Sequence, residues 1–190
     1  RGYYPYMTNP DEIAELEKDP DRVSRIFLAE VLKVVQQWME LADKKLEGTD
    51  MKLYCCPGND DMNEVDEIVR ASRSVILAEG QVTTLKSGHE MISSGWSNRT
   101  PWDTHREEDE DQLKVRYEAM TSQLKDPHNA IFNIHVPPYK SNLDEAAELD
   151  HNLRPKMAGQ ALKPVGSTAL RQSIEEVQPL LGLHGHIHEG

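Results

Sequence analysis

The sequence predicts an α/β fold, and three features of the chain support this prediction. The stretch from Pro20 to Glu47 has apolar residues at the three- and four-residue spacing of a helix. Short apolar runs, such as Met51 to Cys56 and Ala130 to Val136, have the length and flanking residues of buried strands. The segments 51–56, 63–72 and 75–78 then form a strand, a helix and a strand, which is the unit that builds α/β sheets.

The N-terminal part of the chain is predicted to be helical. Asn9 before Pro10 is a helix-start signal, and the short helix that it begins should end near Lys18. The segment 20–47 carries an apolar stripe opposite a charged face, and Gly48 ends it. A helix of this kind ordinarily covers a sheet, and a partner-binding or membrane-surface role is the alternative. The predicted stripe consists of Val23, Phe27, Val31, Val34, Trp38, Leu41 and Leu46.

The middle of the chain is predicted to contain a hairpin, a loop and a helix. Gln81 to Leu85 and Glu90 to Gly95 are joined through Lys86-Ser87-Gly88, which is typical of two antiparallel strands. Ser97 to His105 is polar and is predicted to be a loop. A charged helix with a buried stripe should follow it from about Glu107 to Lys125.

The C-terminal part is predicted to alternate strands and helices around one long loop. After the strand 130–136, the segment Ser141 to Pro164 shows no clear periodicity and is predicted to be a loop with a helical turn. Ser167 caps the next helix, and the last strand runs from Leu180 to His184. That strand delivers a histidine-rich turn at the end of the sequence.

Length and composition indicate one ordinary globular domain. The 190 residues fit a single domain, 1–190, with 37% hydrophobic and 28% charged residues. No apolar run approaches the roughly 20 residues that span a bilayer, so we expect no membrane contact and a cytoplasmic location. The net charge of −12 disfavours nucleic-acid binding unless a local metal centre reverses the field. Cys55 and Cys56 are adjacent, and we expect no disulfide between them.

Polar side chains follow three of the predicted strands. They are Asn59, His135 and the pair His186 and His188. Ligands of α/β sheets gather outside the carboxyl ends of the strands, so these residues are expected to converge as a metal site requires. Two imidazoles separated by one residue can also face two adjacent cations. Taken singly, Asn59 is most simply a turn former, and His135 a structural or surface histidine.

These residues belong to three motifs that occur in a fixed order. The motifs are Gly58-Asn59-Asp60-Asp61, His135 within Asn133-Ile134-His135-Val136-Pro137-Pro138-Tyr139, and Gly185-His186-Ile187-His188. As a set they resemble the last three motifs of the calcineurin-like metallophosphoesterases. The general pattern of that superfamily is Asp-x-His, Gly-Asp-x-x-Asp, Gly-Asn-His-Asp/Glu, His and Gly-His-x-His. The chain is similar over essentially its whole length to the prokaryotic Icc-related phosphoesterases, which share its Pro-Gly-Asn-Asp-Asp turn and its Leu-His-Gly-His-Ile-His end.

The resemblance implies a two-sheet β-sandwich flanked by helices and a binuclear metal centre. It implies that Asn59, His135 and His186 bind one divalent metal ion and that His188 binds the second. Histidine and asparagine ligands suit Mn, Fe, Zn or Ni better than Ca. The implied activity is hydrolysis of a small phosphoester, either a phosphomonoester or a phosphodiester, by a water activated at the two ions.

The sequence departs from the family pattern in two respects. No histidine precedes His89, so no Asp-x-His stands before Asn59. Asp103-Thr104-His105 spells that string in the wrong order, and we interpret it as coincidence. We therefore expect a fragment, incomplete at both termini and weakly active or inactive by itself. Asp60 stands where most of the superfamily has His, so its predicted catalytic role as a proton donor requires a raised pKa.

Two other interpretations stay open. One is a catalytically impaired protein of the same fold that acts as an interaction scaffold. The other is a helical adaptor built on residues 20–47, in which the histidines are incidental. Four cationic residues in loops could contact substrate phosphate or be solvated surface charges: Arg99, His105, Arg106 and Lys140. The oligomeric state and the substrate-binding residues are not assigned.

Overall fold

A computed structural model describes residues 4–188 and divides them into two units. One unit comprises residues 4–55 and 62–77, and the other comprises residues 56–61 and 78–188. Each unit combines helices with short strands, so the fold is mixed α/β. The strands do not fit the helical-adaptor interpretation. Among the described residues, no helix is both long and apolar enough to cross a membrane. The single domain 1–190 stays a prediction.

The first unit is built on a long helix. Its elements are α1 (Pro10–Leu16), α2 (Pro20–Leu46), β1 (Leu53–Cys55), α3 (Val65–Ala71) and β2 (Val75–Leu77). The side chain of Asn9 caps α1 by accepting a hydrogen bond from the Glu12 N–H, as the Asn-Pro signal predicts. Asp19 caps α2 in the same way through the Arg22 N–H. Because β1 and β2 pair in parallel around α3, the predicted strand, helix and strand are confirmed.

The apolar stripe of α2 is buried only in part, which corrects the predicted packing face. Val31 belongs to the predicted stripe and is buried, whereas Phe27 is 43% exposed and Trp38 is 60% exposed. The face that packs against α3 and β2 is instead centred on Val31 and Val35, with Leu32, Met39 and Ala42 beside them. The apolar arc of this helix is wider than one packing surface, so the residue spacing did not determine which side would be covered.

The second unit is built on a four-stranded sheet. Its elements are β3 (Val82–Thr84), β4 (Glu90–Ser94), β5 (Ser97–Asn98), β6 (Glu107–Glu108), α4 (Glu110–Thr121), β7 (Ile131–Ile134), β8 (Glu145–Ala147), β9 (Leu162–Pro164), α5 (Thr168–Val177) and β10 (Leu181–Leu183). The sheet has the order β10-β7-β4-β3. β3 and β4 are antiparallel, which confirms the predicted hairpin, whereas β4, β7 and β10 are parallel. The carboxyl ends of these three strands therefore lie at one edge.

Two predicted segments of this unit need correction. The helix α4 begins at Glu110 and not at Glu107, because Glu107 and Glu108 pair with β5 and Asp109 forms a capping box at the helix start. The segment 141–164, predicted to be a loop with a helical turn, also contains the antiparallel pair β8 and β9. These strands of three residues are too short to give a detectable alternation in the sequence.

The core of the second unit lies between the sheet and the helices α4 and α5. Phe132 and Ile134 of β7 are fully buried, and so are Leu113 of α4 and Leu170 of α5. Alternate residues of a strand point to the same face, so Phe132 and Ile134 anchor one face of β7 to this core. This packing fixes the position of β7, and His135 directly follows the end of that strand.

Candidate functional site

The candidate site lies at the carboxyl edge of the four-stranded sheet, within the second unit. His135 directly follows β7, and His186 lies three residues after the end of β10. The turn 57–61 brings Asn59, which is buried, to the same place. Parallel strands end at a common edge, which explains why His135 and His186 lie together after the neighbouring strands β7 and β10. Asn59 is not carried by this sheet, because it follows β1, which pairs with β2 in a separate sheet.

Asn59 joins the two histidines through one atom. Its Oδ1 lies 3.0 Å from His135 Nε2 and 2.9 Å from His186 Nδ1. The two imidazole rings meet edge to face, with their centroids 5.1 Å apart. Three of the four predicted metal-ligand residues are therefore in mutual contact, with three ligand-type atoms around one point.

Glycines and a strained backbone allow this close approach. A Cβ atom on Gly58 would lie 2.8 Å from both Cε1 and Nε2 of His135, so only glycine leaves room for the ring. The Gly185 N–H donates a hydrogen bond to the His135 carbonyl over 2.9 Å, which ties the last turn to the end of β7. His186 adopts φ 69°, a left-handed conformation that non-glycine residues rarely adopt and that clusters at functional sites.

The environment keeps both histidines neutral. Burial, assisted by the nearby His186 and His188, lowers the pKa of His135 to about 4. Burial also lowers the pKa of His186 below its ordinary value, against the opposing charge of Glu107. Neutral imidazoles are the form that binds metal ions, so neither ring has to lose a net charge before binding.

The two remaining predicted site residues are exposed. His188 is close enough that its charge lowers the pKa of His135 and of His186. Asp60 lies next to Asn59 on the exposed side of the turn. Asp61 shapes that turn, because its Oδ2 accepts a hydrogen bond from the Gly58 N–H over 2.7 Å. Solvent and small molecules can therefore reach Asp60 and His188.

Sequence reasoning missed the residues behind Asn59. Asn59 Nδ2 donates to Thr104 Oγ1 over 2.8 Å, and the Thr104 hydroxyl donates to Glu107 Oε1. Thr104 lies inside the Asp103-Thr104-His105 string, whose Asp and His are exposed. The string is thus not a metal motif in this structure, but its central residue contacts the site. No local sequence signal marks a contact across 45 positions.

Two of the loop cations that could contact substrate, Arg99 and Arg106, differ in burial. Arg106 is buried, and its Nε donates to the Asp61 carbonyl while its own N–H donates to the Asn59 carbonyl, both over 3.0 Å. Arg106 therefore holds the turn that carries Asn59 and is not a solvated surface charge. Arg99 is exposed and forms ion pairs with Asp103 and Asp109.

The cluster differs in composition from a site built of His, Cys, Asp and Glu side chains. Across residues 4–188, no three or more His, Cys, Asp or Glu side chains are grouped so that they could hold a metal ion. The cluster found here instead combines two imidazoles with an amide oxygen. Metal binding at Asn59, His135, His186 and His188 stays a prediction.

Comparison with known proteins supports the fold and assigns no activity. No protein-family profile matches the sequence, and no curated protein matches it either. A crystal structure of an uncharacterized protein is similar in fold, with a TM-score of 0.50 and 16% sequence identity. The similarity covers 90% of this chain and 68% of that one. At this identity the likeness concerns the α/β fold alone.

Proposed function

We propose that this chain carries part of a metal-dependent phosphoesterase site, which hydrolyses a phosphoester with a water activated at a binuclear metal centre. The observation that supports this function best is the contact of Asn59 Oδ1 with His135 Nε2 and His186 Nδ1, at 3.0 and 2.9 Å. The three residues belong to the motifs that resemble the calcineurin-like metallophosphoesterases. Motif order and spatial contact thus support the same site.

The atoms of the cluster are suitable ligands for a transition-metal cation. Imidazole nitrogens and an amide oxygen suit Mn, Fe, Zn or Ni. In the metal-free chain the ring nitrogens that face Asn59 Oδ1 carry their protons and donate to it. Cation binding would require each neutral imidazole to hold its proton on the other ring nitrogen, which frees the nitrogen that faces Asn59. His188 is the proposed ligand of a second cation. Two such ions would hold the phosphoryl oxygens and lower the pKa of the attacking water.

The residues of this chain have distinct proposed roles. Asn59, His135 and His186 hold the first cation, because their ligand atoms already meet at one point. Asp60 is the proposed catalytic residue, since it is exposed beside Asn59 and substrate can reach it. Donation of a proton to the leaving group requires that the Asp60 carboxyl be protonated first. Arg106 holds the backbone from Asn59 to Asp61, because it donates hydrogen bonds to the carbonyls of both residues.

The finer features of the prediction belong to the same proposal. They are a two-sheet β-sandwich flanked by helices, a small phosphoester as substrate and a cytoplasmic location without membrane contact. The net charge of −12 repels extended phosphate backbones, which favours a small substrate over a nucleic acid.

The test is hydrolysis of bis-(p-nitrophenyl) phosphate with Mn²⁺ present. We expect His186→Ala to reduce the rate to background, because it removes one ligand of the first cation. The control is His128→Ala, since His128 is exposed and precedes β7, whereas His135 follows that strand. Equal rates above the metal-free background for the wild type and His186→Ala would contradict the proposal. Mn²⁺ binding without any hydrolysis would favour the scaffold alternative.

A further inference from the structure

The orientation of the Asn59 amide decides whether the site presents an oxygen or an NH₂ group to a cation. Only the oxygen can be a metal ligand, because an amide nitrogen has no available lone pair. The two ends of the amide have nearly the same shape, so packing alone does not distinguish them. Hydrogen bonds to the other end of the amide must therefore set the orientation.

Glu107 can only accept hydrogen bonds in its present surroundings. The carboxylate is 5% exposed and receives four of them, from the N–H and the hydroxyl of both Thr100 and Thr104. Burial raises the pKa of Glu107, but these hydrogen bonds outweigh burial and lower it below its ordinary value. The Thr104 hydroxyl proton is consequently directed to Glu107.

A hydroxyl has one proton, and this fixes what Thr104 offers to Asn59. Since that proton lies on the Glu107 side, Thr104 Oγ1 presents only lone pairs to the amide, 2.8 Å away. The amide must then turn its NH₂ group to Thr104 and its oxygen to the histidines. The reverse orientation would place the amide oxygen against the lone pairs of Thr104 Oγ1, and neither atom could give the other a hydrogen bond.

We propose that Thr104 is a positioning residue that turns the Asn59 oxygen towards the metal site. Glu107 sets the direction of the Thr104 hydroxyl and thereby acts through it. The inference rests on the proposed function, because it assumes a cation between Asn59 and the histidines. Supporting groups of this kind orient metal ligands, and their loss typically costs about 10- to 100-fold in metal affinity.

Thr104→Val is the decisive variant, and Thr100→Val is its matched control. Both substitutions remove one hydroxyl bond to the same Glu107 oxygen, but only Thr104 contacts Asn59. Mn²⁺ uptake by the full chain is measured from the electron paramagnetic resonance signal of free Mn²⁺. Thr104→Val should weaken Mn²⁺ binding by about 10- to 100-fold. Thr104→Ser and Thr100→Val should bind close to the wild type.

Repeating Thr104→Val in an Asn59→Asp background separates an effect on the orientation of side chain 59 from an effect on folding. In Asn59→Asp both ends of the side chain are oxygens, so orientation no longer matters, and adding Thr104→Val should cause no further loss. The same loss in both backgrounds, or no loss in the first, would overturn the inference. If the wild type and His186→Ala take up Mn²⁺ equally, the proposed function itself fails. If only His186→Ala loses Mn²⁺ while Thr104→Val matches Thr100→Val, the positioning role alone fails.

Discussion

The strand β7 and the helix α2 differ in how completely their apolar residues are buried. β7 has Phe132 and Ile134 at zero exposure, and the polar site begins at its next residue, His135. α2 is 27 residues long, yet only Val31 and Val35 among its residues are buried, while Trp38 is 60% exposed. The proposed ligand His135 thus follows the element whose apolar residues are fully buried. An apolar pattern in the sequence alone does not show whether the apolar residues of an element will be fully buried, as in β7, or largely exposed, as in α2.

The same contrast appears in the polar groups of the two regions. Around the site, Asn59 and Glu107 are buried and bonded to several partners each. On the exposed side of α2, ion pairs such as Lys33 with Glu30 contribute little to stability. We therefore expect substitutions at the site region to be felt strongly and those on the exposed side of α2 weakly.

The largest expected difference is between the two phenylalanines of the chain. Phe132→Ala should lower the free energy of unfolding by about 3–5 kcal/mol, because it leaves a cavity in a closed core. Phe27→Ala should cost about 1 kcal/mol, since the ring is 43% exposed and packs edge to face with Tyr4. Urea unfolding followed by circular dichroism measures both. Similar losses would remove the contrast between β7 and α2.

A pH dependence sharpens the comparison at the site. Burial lowers the pKa of His135 to about 4 in the folded, metal-free protein, against 6.5 in the unfolded chain. The unfolded state thus binds the proton first, and stability is complete above pH 6.5 and falls as the pH drops to about 4. The loss is on the order of 3 kcal/mol. Urea unfolding with EDTA at several pH values should show a flatter profile for His135→Gln, and an unchanged profile for His128→Gln.

The order of elements and the residues at the strand ends could be predicted from the sequence. Asn9-Pro10 marked a helix start, and the apolar run before His135 marked a strand that ends where the site begins. These are local signals, since caps and strand lengths depend on neighbouring residues. The closeness of His135 and His186 followed from the rule that parallel strands end at one edge, whereas Asn59 follows a strand of a separate sheet and the rule alone does not bring it there.

The remaining features depend on contacts that no local pattern encodes. Thr104 contacts Asn59 across 45 positions of the chain. The string Asp103-Thr104-His105 spells Asp-x-His, but its Asp and His are exposed and only Thr104 contacts the site. The exposed side of α2 could not be distinguished from the buried side, because both carry apolar residues at helical spacing. The pairs β5 with β6 and β8 with β9 are two and three residues long, below what periodicity can reveal.

Substitutions of two glycines, Gly95 near the site and Gly48 after α2, compare the packing of the site region with that around α2. A Cβ on Gly95 would lie 1.5 Å from the Pro57 carbonyl oxygen, so Gly95→Ala must displace the turn that carries Asn59 and should cost about 1–3 kcal/mol or more. Gly48, after α2, has open space around it and φ +75°, so Gly48→Ala should cost about 1–2 kcal/mol of backbone strain alone. Mn²⁺ binding distinguishes them, since only Gly95→Ala should weaken it.

The smallest expected effect is a pH dependence at α2. A hydrogen bond from the Ser72 hydroxyl, opposed by burial and aided by the Arg73 and Ser74 N–H groups, lowers the pKa of Asp43 to about 2. The ordinary value is 3.8, so this contribution to stability is present above pH 4 and is lost as the pH falls to about 2. Helical circular dichroism in that window should lose its pH dependence in Asp43→Asn. An unchanged profile would show that Asp43 does not anchor α2 to the 72–74 turn.

The most direct test of the metal site is a Zn²⁺ titration followed by the ¹⁵N signals of the histidine rings. Zn²⁺ is diamagnetic and suits imidazole and amide ligands, so each ring nitrogen that binds it can be identified. We predict that His135 Nε2 and His186 Nδ1 shift together at the first equivalent, that both shifts disappear in Asn59→Ala, and that His128 does not respond. If His135 and His186 keep their metal-free signals, or respond no more than His128, Asn59 and the two histidines do not form a cation site.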